Sequence, residues 1–397
     1  MFSCFRFDNL LLVPNPIRNL RQIANASICT LPNLDPFEES VQHLIEDVGT
    51  DPGCVGPKPR FHVNSKGLFA PVPETDKDDL ILTSVKFEPI LRPDGDDFDF
   101  ELGDEVFPYR KGNQHDNVKI TSDFIKISYK LKSRDDEQDN NRRVFFSSKV
   151  VPRMNLVKKL HRLNKNSPAG IPINILVLGF DSTSHATFRR KLPQTVEYLE
   201  RKLDANVLRG FSIVGDGTTP FTTALLCGKF VGELPRASKR DRERQTVDEW
   251  PFIFKDFKQH GYVTMHSEDD PKIATFNLRL NGFLDPPADH YTRPFWIAIE
   301  NSGVRKAIRK QTTNARVCLG GETLHNFTFN YALSMFDAYK DTPKFAFSYF
   351  SYVSHGVPDK LSYVDEDLLK FLKVYHQKYH NNTMLVLISK WIAKYHE

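Results

Sequence analysis

Apolar positions follow two different rhythms along this chain. Between about residues 78 and 152 they alternate with polar ones, as in Val118-Lys-Ile-Thr, Phe124-Ile-Lys-Ile-Ser-Tyr-Lys-Leu and Val144-Phe-Phe. A period of two puts one face of a strand on a core and the other in water, so this stretch predicts antiparallel strands, with polar residues 133–143 as a hairpin loop. From residue 173 onward the apolar residues come as unbroken runs, the mark of parallel strands buried on both faces. Strands are expected at about 173–180, 208–214, 261–266, 344–351 and 383–388. Helices are expected between them, at about 193–203, 221–228, 246–259, 303–311, 327–340 and 365–380. The fold class is therefore α/β, a mostly parallel sheet flanked by helices. A Pro-rich stretch at 1–60 and an Asn/Ser/Pro/Gly linker at 164–172 divide the chain into an irregular, β-rich region, 1–165, and an α/β domain, 166–397.

The run 173–181 stops at an acid, Asp181, followed by Ser182, Thr183 and Ser184. Open α/β sheets place their ligands at the carboxyl ends of their strands. The run 208–214 leads into Gly215-Asp216-Gly217-Thr218-Thr219-Pro220 and then a helix, which offers the Thr218 hydroxyl at a helix N-terminus. Thr218 is thus placed as a nucleophile whose pKa a cation could lower, with Asp181 as the first ligand of that cation. An ordinary strand-turn-helix unit with a Thr cap fits the same letters. His355, after the apolar stretch 345–353, is expected at the same sheet edge; a loop histidine with no task is the competing reading. Asp269 and Asp270 read as edge acids that cap the next turn.

Asn174 to Lys229 resembles the opening of the alkaline phosphatase and sulfatase superfamily. The matching positions are Asp181, Thr218, Pro220 and Leu225-Leu226-Cys227-Gly228. From about Cys29 onward the chain is most similar to a sulfatase-like animal ectodomain family of unknown function. The similarity rests on Cys29-Thr-Leu-Pro-Asn-Leu-Asp-Pro-Phe37 with Cys54, Glu268-Asp-Asp-Pro-Lys-Ile-Ala-Thr-Phe276, Tyr291-Thr-Arg-Pro-Phe295, Cys318-Leu-Gly, Ser354-His355 and Asp365-Glu-Asp-Leu-Leu369. The resemblance implies an alkaline-phosphatase-like fold and a divalent metal (zinc, calcium or manganese) on Asp181 and Thr218. It further implies attack by Thr218 on a sulfated or phosphorylated ester, and His355 beside a second metal or the transferred oxygens. It also supports a disulfide between Cys29 and Cys54, which bracket a Pro- and Asp-rich stretch, and an extracellular or secretory location.

At two places the chain departs from that pattern. Many relatives have Asp after the histidine, where this chain has Gly356. The relatives' last metal-binding strand ends in Asp-His-Gly, whereas here 383–388 is followed by Ser389 and Lys390. Catalytic zinc sites keep about three protein ligands. Asp181 and Thr218 supply two, water or Asp216 could fill in, and Lys390 adds opposing charge. The expectation is a site incomplete for metal and an ancestral ester hydrolase that is impaired. The alternatives are a non-catalytic secreted binding protein, or a C-terminally truncated product with an exposed sheet edge.

Composition adds limits. The 397 residues carry a net charge of +4, with no domain-scale basic stripe, which argues against a nucleic-acid partner. The cluster Arg236, Lys239, Arg240, Arg242, Arg244 is broken by Asp241 and Glu243 and reads as a solvated loop. Among five cysteines, Cys227 sits on the apolar face of a helix and reads as a buried thiol. Sequons at Asn25, Asn326 and Asn381 favour the secretory pathway. Only a short apolar run near residues 10–13 stands at the N-terminus, too brief for a signal core, and no transmembrane segment is evident. Substrate and oligomeric state stay open.

Overall fold

The computed structural model describes residues 35–390 apart from 44, 56–60, 64–68, 72–79, 111–112, 115–119, 134–140, 167–172, 242–244 and 306–316. Alternating residues build an antiparallel sheet from β1 (Leu80–Leu91), β2 (Val106–Arg110), β3 (Phe124–Ser133) and β4 (Asn141–Ser148), in the order β2-β1-β3-β4. Two short strands, Asn113–Gln114 and Glu101–Leu102, add to β2 and β1. The period of two puts Val85 and Phe87 of β1 and Ile125, Ile127, Tyr129 and Leu131 of β3 in one buried cluster, and a register shift between Leu82 and Ser84 brings Leu82 to the same face. Most of the expected hairpin loop and Val118 lie outside the described residues.

The second sheet has five strands, all pairs parallel: β5 (Asn174–Phe180), β6 (Val263–Glu268), β7 (His290–Tyr291), β8 (Lys344–Phe350) and β9 (Thr383–Ser389). Their order is β7-β6-β8-β5-β9, with β5 between β8 and β9 and with β9 on the edge. Leu176, Leu178, Phe180 and Phe350 face one core, and Phe345, Phe347 and Tyr349 face the other. The expected strand at 208–214 is not there. Both edges of β5 are taken by β8 and β9, and the segment is an irregular approach to the next helix, with Leu208 77% exposed.

Besides a single turn at Glu39–Gln42, the described α-helices include α1 (Met154–Asn166), α2 (His185–Lys191), α3 (Pro193–Arg201), α4 (Thr218–Cys227), α5 (Ile253–Gln259), α6 (Arg293–Asn301), α7 (Leu324–Ala338) and α8 (Asp365–Lys378). The expected helix at 246–259 shrinks to α5, because Pro251 bars helical continuation across it. Residues 293–301, not anticipated as a helix, form α6 with Pro294 in its first turn and Arg293 to Glu300 all buried. Of the expected helix at 303–311, residues 306–311 lie outside the described ones. No described helix is long and apolar enough to cross a membrane.

The two sheets share a core, since Ile90, Phe124, Phe146 and Val150 cluster with Phe295, Trp296 and Phe327. A buried acid reinforces that junction: Asp97 accepts hydrogen bonds from Arg92 Nε, Asn277 Nδ2, the Phe283 N–H and Tyr291 OH. The disulfide corrects the sequence reading. Cys54 is bonded to Cys318, not to Cys29, at a sequence separation of 264. Cys29 lies outside the described residues. Proximity along the chain suggested the short ring, but the fold brings the Cys318–Leu319 strand to Cys54 instead.

Candidate functional site

Strand β5 ends at Phe180 and hands the chain to Asp181, whose N–H donates to the Phe350 carbonyl at 2.9 Å. Asp181 is only 2% exposed, so its carboxylate depends on protein partners. Oδ1 accepts from the Ser182 N–H at 3.0 Å, Thr218 Oγ1 at 3.3 Å, Tyr349 OH at 3.3 Å and Lys390 Nζ at 3.4 Å. Oδ2 pairs with His355 Nδ1 at 2.8 Å. Burial opposes ionisation of Asp181. The His355 hydrogen bond and the Lys390 charge outweigh it and hold the carboxyl below its usual range.

Each partner is placed by a local cause. Gly179 has no side chain where the Tyr349 ring crosses β5, so Tyr349 lies over the strand and reaches Asp181. Thr218 is the first residue of α4, reached through Gly215 (φ 69°) and Gly217 (φ 107°), left-handed positions that suit glycine. A Cβ on Gly215 would stand 2.7 Å from the Pro220 side chain, so the turn cannot be widened without moving the helix. Lys390 follows β9, where its N–H donates to Phe180 and its carbonyl accepts from Thr183. From there Nζ reaches Thr218 Oγ1 at 2.8 Å. Burial pushes the Lys390 ammonium below its ordinary pKa, against the restoring charge of Asp181.

His355 hangs from the turn after β8 with its side chain 44% exposed. That turn is held by Asp269, whose Oδ1 accepts from the N–H groups of Ser351 at 2.7 Å and Tyr352 at 3.3 Å. Asp269 thus caps the turn of the neighbouring strand, while Asp270 caps its own by accepting from Lys272. Burial raises the Asp269 carboxyl well above its usual range, helped by the charges of Asp270 and Glu268. Tyr349 and the Asp269 clasp were not apparent from the sequence, although a glycine opposite an aromatic residue in adjacent parallel strands was a usable signal for the first.

Asp181 and His355, each just past a strand, therefore converge with Thr218, which arrives from the start of α4 and not from the end of the strand expected at 208–214. The two oxygens proposed for a cation, Asp181 Oδ1 and Thr218 Oγ1, are already bridged by the Lys390 ammonium. This donor set does not fit a divalent ion unless Lys390 moves away. Among the described residues no group of three or more His, Cys, Asp or Glu side chains is placed to hold a metal. The arrangement polarises the Thr218 hydroxyl: it accepts from an ammonium, donates to a carboxylate and sits at the positive end of α4.

The sequons differ in their surroundings. Asn326 is half-buried in α7, its Nδ2 donating to Asp367 at 3.0 Å, whereas Asn381 is exposed beside β9. Asn25 lies outside the described residues. Cys227 is partly buried and unpaired, with burial raising its thiol to about 12.

Fold and site together define an α/β protein whose parallel sheet gathers a carboxylate, a hydroxyl, an imidazole and an ammonium at one edge. The family model described as protein of unknown function (DUF229) matches residues 94–391, more than half of the chain. The chain belongs to that family. No curated protein and no solved structure matches it.

Proposed function

We propose that this chain is a sulfatase-like member of the alkaline phosphatase superfamily in which Lys390 stands in for the catalytic cation. Its metal-dependent hydrolysis of phosphate or sulfate esters is thereby impaired, and the molecule works as a pseudoenzyme of the secretory pathway. The observation that carries this reading is the Lys390 ammonium bridging Thr218 Oγ1 and Asp181 Oδ1, at 2.8 and 3.4 Å. A divalent ion there would meet a fixed positive charge in a buried setting, where repulsion is weakly screened. The strand-end Asp181, helix-start Thr218 and adjacent His355 support the ancestry.

Calorimetric titration with zinc, manganese and calcium tests the proposal. Wild type should show no stoichiometric binding, and Lys390→Asp should gain it. Stoichiometric binding by wild type that disappears in Asp181→Ala would overturn the reading and restore a working hydrolase site.

A further inference from the structure

Helix α1 (Met154–Asn166) buries one side and carries three cations on the other. Leu160 is buried, and Leu156, Val157 and Leu163 pack on the main core. Lys158, Lys159 and Arg162 are exposed on the opposite side, and the helix contains no acidic residue. Among the described residues none of these three cations has an ion-pair partner. Together with Asn155 and Leu163 they line a shallow cavity of about 410 Å³. Residues 158 and 162 are one turn apart, about 6 Å along the axis, so the charges form a short continuous row. Arg153, its side chain 55% exposed, lies at the start of the same helix.

We propose that this row is a docking surface for a linear sulfated polysaccharide. Charge complementarity supplies the attraction, and the planar guanidinium of Arg162 can bind one sulfate with two hydrogen bonds while the lysines act as point charges on its neighbours. A lipid surface is a poorer fit, because the apolar stripe that would insert into it is already spent on the core. Single-stranded nucleic acid is also poorer, because among the described residues no aromatic side chain lines the cavity to stack on a base. The Cys54–Cys318 bond suits the oxidising environment in which sulfated glycans occur.

Binding of the full chain to heparin, measured across a salt series, tests this surface independently of the sheet-edge site. Wild type should be retained at low salt, and Lys158→Gln/Lys159→Gln/Arg162→Gln should elute earlier with an unchanged melting temperature. The slope of log K on log salt should be shallower by about two to three in that variant. Desulfated heparin should compete poorly against wild type, an arm that holds even if the triple variant folds badly. No retention of wild type, equal retention of a folded variant, or equal competition by desulfated heparin would each overturn the proposal. Preference for duplex DNA or phosphatidylserine vesicles over heparin would overturn the choice of a glycan.

Discussion

The Lys390 ammonium donates to the Thr218 hydroxyl at 2.8 Å. A residue just beyond the edge strand β9 thus supplies positive charge to a helix N-terminus, and the same group reaches the carboxylate at the end of β5. Three elements are locked to one another through a buried charge.

Breaking that lock should be costly in one direction only. Lys390→Met takes the ammonium from the buried Asp181 carboxylate, leaving it the His355 hydrogen bond, and should lower stability by about 3 kcal/mol. Adding Asp181→Asn should recover part of the loss, with a coupling energy of about 1–3 kcal/mol in a double-mutant cycle. Urea unfolding of the four proteins measures it, and additive losses would show that the two groups do not act as a pair.

Asp269 should make stability fall as pH rises. Its folded pKa is raised by burial, so the native state keeps a proton that the unfolded chain releases above about 3.9. The associated stability is present in acid and is lost as pH climbs from there toward the folded value. Asp269→Asn keeps an oxygen for the Ser351 and Tyr352 N–H groups and should gain on wild type from pH 4 to pH 8. Melting temperatures across that range decide it; a difference that does not grow with pH would remove Asp269 as the cause.

Removing the Asp97 carboxylate should loosen the junction between the sheets. Asp97→Ala removes the carboxylate that balances the Arg92 charge, leaving that guanidinium its bonds to the Phe283 and Leu284 carbonyls, and takes an acceptor from Asn277, Phe283 and Tyr291. A loss of about 3–5 kcal/mol is expected. Denaturant unfolding followed by tryptophan fluorescence should show it, Trp296 being in the shared core. A loss below 1 kcal/mol would mean the junction is held by apolar packing alone.

Glycan attachment should discriminate between the described sequons. When the chain is passed through the secretory pathway of a eukaryotic host, Asn381 should be occupied. Asn326 should not, because its amide nitrogen is committed to Asp367 within α7. Loss of a glycosidase-sensitive mobility shift in Asn381→Gln but not in Asn326→Gln is the expected outcome. The opposite pattern would place the α7 face in solvent.

The strand ends were readable because the chemistry there follows from position. An apolar run that stops at Asp181, and another that stops ahead of His355, can only bring their next residues to one edge of a parallel sheet. The segment 208–214 misled because an apolar run carries no mark of whether a neighbouring edge is free, and β8 and β9 had filled both sides of β5. Helix α6 was hidden for a related reason. Its nine residues are nearly all buried, and a run that short does not separate a helix from a buried strand by its apolar pattern. The pairing of Cys54 with Cys318 depends on tertiary contact that local spacing does not encode.

The placement of that bond also sets an order of events during synthesis. Chains grow at about 5–20 residues per second, so roughly 13–53 s separate the appearance of Cys54 from that of its partner 264 positions later. Throughout that interval the Cys54 thiol shares the nascent chain with Cys4 and Cys29. A bond made early with either must be undone by thiolate exchange before the native one can close. Any such exchange has to wait until Cys318 has been added, when β5, β6 and β7 have been synthesised but β8 and β9 have not.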